Sequence, residues 1–180
     1  MTQPTVVFFG PDGNPRLGKK RPLKVFLRTL LFSTSRKGQT VESLHVNLQR
    51  GESRQNFSIW VYGDGPLARG SGIFVPAGGI ACNHHFLLPE DGAEFKLLAG
   101  EYRLRIFAKN VDDAGPRELA CIPLRISDAH AAQLQDEHAG IYFDWGPDQQ
   151  AYHPHIDMKA PDPLDDLLGQ LPSLIDSKIG

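Results

Sequence analysis

The stretch Gly100-Glu-Tyr-Arg-Leu-Arg-Ile-Phe-Ala-Lys109 decides the fold class. Every second residue from Tyr102 to Ala108 is apolar, and the residues between them are mostly charged. This period of two predicts a β-strand with one buried face. The same alternation occurs elsewhere in the chain, at Leu44, Val46 and Leu48, at Phe57, Ile59 and Val61, at Ile80, Cys82, His84, Phe86 and Leu88, and at Ala120, Ile122, Leu124 and Ile126.

Turns rich in glycine and proline separate these short strands, a pattern that predicts an all-β, antiparallel β-sandwich. Residues 5–9 and 73–75 add two further short strands. Residues 23–32 fit either a strand or a basic amphipathic helix, and their strand neighbours favour the strand. Pro123 removes a hydrogen-bond donor from the last predicted strand, which places that strand at an edge or a bulge.

The segment around Tyr102 resembles the start of a strand in immunoglobulin-like and fibronectin-like sandwiches. In those domains a tyrosine at this point binds back to upstream backbone, in the arrangement called a tyrosine corner. The resemblance implies that the Tyr102 hydroxyl makes such a bond. It carries no function, because these sandwiches host many unrelated activities.

The composition shifts after Ile126 and predicts two parts, a β-sandwich at 1–127 and a C-terminal extension at 128–180. Residues 128–139 have the pattern of a short helix capped by Ser127 or Asp128. The aromatic residues 141–145 are expected to pack on the sandwich, and 146–161 are expected to form an extended linker. A second short helix is predicted at 162–171.

Charge is distributed unevenly along a chain whose formal net charge is only −2. Residues 1–50 hold nine basic and two acidic residues, whereas 128–180 hold two and ten. The asymmetry predicts a basic surface, concentrated at 16–37, and an acidic tail. Three interpretations are open. The acidic tail can dock on its own chain or a second copy, the basic stretch can bind nucleic acid, or both can simply be solvated. Nucleic acid is the least favoured of these.

Several classes of protein are disfavoured. There is no run of about 18 apolar residues, so we expect no membrane span. The first ten residues lack the basic region of a signal peptide. The two cysteines, Cys82 and Cys121, are predicted to face differently, so no disulfide is expected. These features predict a cytoplasmic protein.

No catalytic site and no cofactor are predicted. Cys82 and His84 are expected to be core residues. They are not expected to meet as a catalytic pair, because neighbours two apart on one strand point in parallel and no third residue is available to orient them. His153, His155 and Asp157 alternate along the chain, so they are a weak candidate metal site. A surface-exposed linker bearing two unrelated histidines is the favoured interpretation of that motif.

The sequence therefore predicts a non-enzymatic protein-interaction module rather than an enzyme. The acidic tail would bind another protein or another copy as a short helix. Its apolar anchors would be four leucines, and two aspartates would steer it: Leu164, Leu167, Leu168, Leu171, Asp165 and Asp166. The alternative is a sandwich that binds a small ligand or carbohydrate on a platform of Trp60, Tyr62 and His85, with Trp60 and Tyr62 facing outward.

Overall fold

Alternating apolar residues form strands throughout the computed structural model, which describes residues 1–12, 22–64, 68–70, 72–89 and 95–158. The strands are β1 (Val6–Pro11), β2 (Leu23–Leu31), β3 (Gln39–Arg50), β4 (Ser53–Phe57), β5 (Ile59–Tyr62), β6 (Ala68–Arg69), β7 (Ile73–Val75), β8 (Ile80–Leu87), β9 (Gly100–Asn110), β10 (Arg117–Ile126), β11 (Ala139–Gly146) and β12 (Ala151–Met158). One helix, α1 (Asp128–Gln133), lies between β10 and β11 in this described part.

The described strands form two antiparallel sheets. The larger has the order β12-β11-β1-β2-β8-β5-β6, and we call it the seven-stranded sheet. The smaller has the order β10-β9-β3-β4, with β7 also paired to β3, and we call it the five-stranded sheet. The prediction of an all-β, antiparallel chain is confirmed.

Side chains from both sheets share one hydrophobic core. Phe9 and Phe86 enter it from the seven-stranded sheet, and Phe57, Leu104 and Ile122 enter it from the five-stranded sheet, each at most 1% exposed. Burying each such side chain contributes about 1.5–3 kcal/mol. The core thus holds the two sheets against one another.

Three local predictions are confirmed. The segment 23–31 is a strand, and its Val25 and Leu27 side chains are buried in the core. Tyr102 donates its hydroxyl proton to the Leu98 carbonyl at 2.7 Å and accepts the Leu98 N–H at 2.9 Å. Pro123 lies on β10, which is at the edge of the five-stranded sheet.

The predicted organisation after Ile126 differs from the structure. Ser127 caps α1 by accepting the His130 N–H at 3.1 Å, but the helix ends at Gln133 rather than near residue 139. Residues 139–146 form β11, which pairs with β1, and residues 151–158, half of the predicted linker, form β12. A division at residue 127 therefore falls before two strands of the seven-stranded sheet. The helix predicted at 162–171 lies outside the described residues.

The prediction that Phe57, Ile59 and Val61 share one face is wrong. β4 pairs with β3 in the five-stranded sheet, whereas β5 pairs with β8 in the seven-stranded sheet. The chain crosses between the sheets at Ser58, and the alternation of core-facing and outward-facing side chains shifts by one residue there. Phe57 enters the core from one sheet and Trp60 from the other.

Candidate functional site

The side of the seven-stranded sheet that faces away from the core carries a band of apolar side chains among charged residues such as Arg28 and Asp144. On β1, for example, Val7 and Phe9 point into the core, so Val6 and Phe8 point outward. We call this side the outer apolar face. Apolar or aromatic side chains reach it from five neighbouring strands: Val6, Phe8, Phe26, Leu30, Ile59, Val61, His85, Leu87 and Tyr142.

A row of five rings crosses this face at right angles to the strands. The strand register aligns His155, Tyr142, Phe8, Phe26 and His85 on β12, β11, β1, β2 and β8. The Phe8 and Tyr142 centroids lie 4.5 Å apart, those of Tyr142 and His155 5.4 Å, and those of Phe26 and His85 5.0 Å. Such cross-strand aromatic pairs stabilise a sheet and fix its register.

Two glycines allow one ring of this row to lie close to the backbone. A Cβ atom added at Gly140 would overlap the Phe8 ring, and so would one added at Gly10. Phe8 therefore packs against bare backbone, and it is only 2% exposed although it points away from the core. The glycines set the shape of the outer apolar face at its centre.

The outward side of the five-stranded sheet has the opposite character. Ion pairs join its strands: Arg105 with Glu118, Lys109 with Glu42, and Arg125 with Glu101. Exposed pairs of this kind contribute little stability but interact well with water. An antiparallel sheet commonly has one wet face, and only this sheet follows that pattern.

The predicted ligand platform of Trp60, Tyr62 and His85 is not assembled. Trp60 is 4% exposed and lies in the core, and Tyr62 stacks against it with centroids 4.7 Å apart. The Tyr62 hydroxyl donates to the Gly72 carbonyl at 2.8 Å. Of the three residues, His85 alone lies on the outer apolar face. The reason is the change of sheet at Ser58, which turns Trp60 inward.

Cys82 and His84 are buried in the core, as predicted, but they do contact one another. The Cys82 Sγ and the His84 Nε2 lie 3.4 Å apart, so the prediction that parallel neighbours do not meet is wrong. The Trp60 indole donates to the His84 Nδ1 at 3.2 Å. Because an indole only donates, Nδ1 is the acceptor and the proton of the neutral ring is on Nε2, facing the sulfur.

This arrangement does not activate the thiol. Burial lowers the pKa of His84 to about 4, with a further lowering by His85 and an opposing effect of Asp64. Burial likewise raises the pKa of the Cys82 thiol. A cysteine nucleophile needs a lowered pKa or a free neighbouring base, and the lone pair of Nδ1 is already engaged by Trp60. The cluster is therefore a hydrogen-bonded part of the core.

The candidate metal motif lies on the outward side of β12. His153, His155 and Asp157 pair with Asp144, Tyr142 and Gly140 of β11, so they do share a side. Within the described ranges, however, no three His, Cys, Asp or Glu side chains are placed to hold a metal ion. The His155 Nδ1 lies 3.2 Å from an Asp144 carboxylate oxygen instead.

A cleft opens between β10 and β12, which are the free edges of the two sheets. Its volume is about 520 Å³, and we call it the edge cleft. Tyr152 on its wall is held by the Gln3 amide, which donates to the hydroxyl at 3.0 Å, and by the Pro4 carbonyl, which accepts from it at 2.8 Å. Burial raises the pKa of Tyr152 to about 12, against the lowering effect of the Gln3 bond.

The sequence analysis missed the edge cleft because distant segments build it. Gln3, Glu101, β10, α1 and the β11–β12 hairpin contribute to its lining. No local spacing connects these segments, and the hairpin was predicted as a docking segment and a linker. The one available signal was the pair of aromatic residues Trp145 and Tyr152.

Several predicted residues lie outside the described part of the chain. These are Leu164, Leu167, Leu168 and Leu171, together with Asp165 and Asp166. The basic stretch 16–37 is described only from residue 22 onward. There the Lys24 Nζ lies 3.1 Å from Asp12 and the Arg28 guanidinium 2.7 Å from Asp64, so both cations have acidic partners.

The described part of the chain contains no helix with the length and apolar character needed to cross a membrane. No family model matches the chain, and no curated protein and no solved structure shows significant similarity to it.

Proposed function

We propose that this chain is a non-enzymatic protein-interaction module whose docking site is the outer apolar face. The face accepts an amphipathic segment bearing leucines. In the free protein the occupant is the chain's own segment 159–180, and a similar segment of another protein or copy replaces it. One observation carries the proposal, namely that apolar and aromatic side chains reach the outer side of the seven-stranded sheet from five neighbouring strands and form a continuous band between the ion pairs of that side.

We also propose that the two sheets form an immunoglobulin-like sandwich. Such domains order their strands A-B-E-D in one sheet and C-F-G in the other. Assigning β1, β2, β8 and β5 to A, B, E and D, and β3, β9 and β10 to C, F and G, reproduces both orders. Tyr102 then lies at the start of strand F, where the tyrosine corner occurs.

The length of the chain beyond β12 supports the choice of occupant. β12 ends at Met158 on the edge of the seven-stranded sheet, three strand spacings or about 14 Å from β2. Six residues lead from Met158 to Leu164 and span up to about 20 Å when extended. The leucines therefore reach the centre of the outer apolar face, and the short connection gives them a high effective concentration there.

The chemistry of the segment supports the same choice. Leu164, Leu167, Leu168 and Leu171 have the spacing of one helix face. On the sheet, β2 places Lys24 and Arg28 outward beside Phe26. Both cations pair with acids of the sheet, Asp12 and Asp64, and the aspartates of the segment would replace these partners on docking. Charges of this kind guide docking and fix its register. The segment would cover an apolar area that is unusual for the wet side of a sheet.

The packing of the ring row favours a protein segment over a sugar as the ligand of this face. Carbohydrates stack on aromatic rings whose flat sides are open. Here the Tyr142 and His155 rings stack on each other at 13°, and Phe26 packs against His85. The stacked Tyr142 and His155 rings therefore cover each other's flat sides, and the aliphatic groups of the face offer contacts that suit leucine side chains.

Free thiols support a reducing, intracellular setting for this module. Cys82 is buried and Cys121 is exposed, and neither forms a disulfide. Exposed unpaired cysteines are more usual in reducing compartments than in secreted proteins.

A peptide-binding measurement tests the proposed docking. The receptor is the full chain carrying Leu167→Asp and Leu168→Asp, which disable its own segment. The ligand is a fluorescently labelled peptide of residues 159–180, and the readout is its anisotropy. We expect saturable binding to this receptor and weaker binding to the unaltered chain, whose own segment competes.

Two matched variants of that receptor provide the control. Phe26→Ser alters the outer apolar face, and Phe107→Ser removes a similarly half-buried ring from the outer side of the five-stranded sheet. We expect Phe26→Ser to abolish binding and Phe107→Ser to leave it unchanged. Equal effects of the two substitutions, or no binding by a receptor with a native circular dichroism spectrum, would refute the proposal.

A further inference from the structure

The edge cleft has the size and lining of a small-molecule site, and it is separate from the outer apolar face. Its volume of about 520 Å³ falls within the range of about 300–1,000 Å³ that is typical of such sites. It lies at the junction of the two sheets, where β10 and β12 have no further strand beside them in the described part of the chain.

Strand addition is disfavoured at this place. Each of the two edge strands has a proline near its middle, Pro123 in β10 and Pro154 in β12, and both prolines line the cleft. A proline cannot donate a hydrogen bond to an added strand, and edge prolines commonly prevent such pairing. The occupant of the cleft is therefore not an extended peptide.

The aromatic wall of the cleft is held in place before any ligand binds. Tyr152 is fixed through its hydroxyl by Gln3 and Pro4. Trp145 lies opposite Tyr152 in the β11–β12 register, with the ring centroids 5.1 Å apart and the planes at 58°. Tilted rings do not cover each other's flat sides completely, unlike the stacked Tyr142 and His155 rings of the outer apolar face. The pair can thus offer an aromatic surface to a ligand.

The polar groups around this wall are varied and balanced in charge. The His130 Nδ1 is buried without a hydrogen-bond partner among the described residues. Ser127 and Gln150 add a hydroxyl and an amide to the lining. The charged groups of the lining are Glu101 and Arg125, which are 3.4 Å apart and neutralise each other at the exposed rim.

We propose that the edge cleft binds a neutral carbohydrate of one or two sugar rings. The apolar side of a sugar stacks on the Trp145 and Tyr152 rings. Its hydroxyls bind the amide and hydroxyl groups of the lining, which provide both donors and acceptors. The lining residues carry no net charge that would attract a strongly charged ligand. This inference does not depend on the docking of segment 159–180.

Tryptophan fluorescence gives a direct test. The chain has two tryptophans, and Trp60 is only 4% exposed, so quenching by acrylamide reports on Trp145. The full chain is titrated with maltose, cellobiose and N,N′-diacetylchitobiose. We expect at least one disaccharide to protect Trp145 from quenching in a saturable way. No saturable protection by any of the three would overturn the proposal.

Variants locate the site. Gln150→Ala removes the amide of the lining, and we expect it to weaken the effective disaccharide by about tenfold, the loss expected for one hydrogen bond of about 1.4 kcal/mol. Trp145→Phe keeps an aromatic ring but removes the fluorescent reporter, so its binding is followed by calorimetry and should be weaker but measurable. Phe107→Ala, on the outer side of the five-stranded sheet, should bind normally. Equal binding by Gln150→Ala and the unaltered chain would place the sugar elsewhere and refute this site.

Discussion

His84 shows how one polar ring is accommodated in an apolar core. The Trp60 indole satisfies Nδ1 at 3.2 Å, and Nε2 faces the Cys82 sulfur at 3.4 Å. Both nitrogens have partners only while the ring is neutral, because a protonated Nδ1 would face a second donor. Burial is the main cause of the low pKa of His84, and His85 lowers it further. The indole N–H that points at Nδ1 disfavours the protonated ring in the same sense.

This residue makes stability depend on pH in a definite window. The ordinary pKa of histidine is 6.5, and that of His84 in the folded chain is about 4. Between these values the unfolded chain binds more protons than the folded chain, so the free energy of unfolding falls as the pH falls from 6.5 to 4. The difference of the two pKa values corresponds to a loss of about 3 kcal/mol.

Urea denaturation between pH 7 and pH 4 checks this prediction. His84→Gln keeps an acceptor near Trp60 but has no titrating group, so we expect its stability to change less over this range. His153→Gln, at an exposed position, should follow the unaltered chain. If His84→Gln and the unaltered chain lose stability in parallel, His84 is not the group responsible.

Gly140 is the second residue with a specific structural role. Its missing side chain makes room for the Phe8 ring. We expect Gly140→Ala to lower the free energy of unfolding by about 1–3 kcal/mol through overpacking. Gly115→Ala, at an open position, should be nearly neutral. Thermal denaturation of both variants and of the Gly140→Ala, Phe8→Ala double variant tests this. A full additive loss in the double variant would show that Phe8 is not what Gly140 accommodates.

At the scale of elements, the β11–β12 hairpin is part of the fold rather than an appendage. β11 pairs with β1, and its residues Ile141 and Phe143 are at most 1% exposed in the common core. Each of these side chains contributes about 1.5–3 kcal/mol. We therefore expect a chain ending at residue 127 to be unfolded or aggregated, and a chain ending at residue 158 to fold.

Circular dichroism and thermal denaturation of the two shortened chains check this expectation. The chain ending at 158 loses only the proposed occupant of the outer apolar face, so its melting temperature should fall by a few degrees at most. A cooperative transition in the chain ending at 127, at a temperature close to that of the full chain, would show that the hairpin is dispensable.

The elements were predictable from the sequence where alternation persists along a whole strand. Leu44, Val46 and Leu48 alternate within β3, and all three are buried as expected. The prediction fails at Ser58 because alternation cannot show that the chain moves from one sheet to the other. It fails again at 146–158, where His153 and Pro154 resemble linker composition although the strand is fixed by its pairing with β11.

The candidate sites were less predictable because they depend on how strands lie side by side. Phe8, Phe26 and Tyr142 are far apart in sequence, and only the order β11-β1-β2 aligns their rings. The edge cleft likewise depends on β10 and β12 lying at neighbouring edges. Side-chain alternation gives the face on which a residue lies, and the strand order gives its neighbours. The sequence contained the first kind of information and not the second.

At the scale of the whole molecule, the two sheets have different exteriors. The five-stranded sheet presents ion pairs, whereas the seven-stranded sheet presents the outer apolar face with its row of rings. A large apolar face on a protein usually marks an interface. The account therefore predicts that this face is covered, and that segment 159–180 covers it in the free chain.

Disulfide trapping in the full chain tests this central claim most directly. In a Cys121→Ser background, Leu168→Cys is combined with Leu30→Cys on the outer apolar face, which keeps the Phe26 ring, or with Arg105→Cys on the other sheet as the control. After mild oxidation, mass spectrometry and non-reducing gels identify the product. We predict an intramolecular disulfide with Leu30→Cys and little with Arg105→Cys. Equal trapping at the two positions, or none at either, would contradict the account.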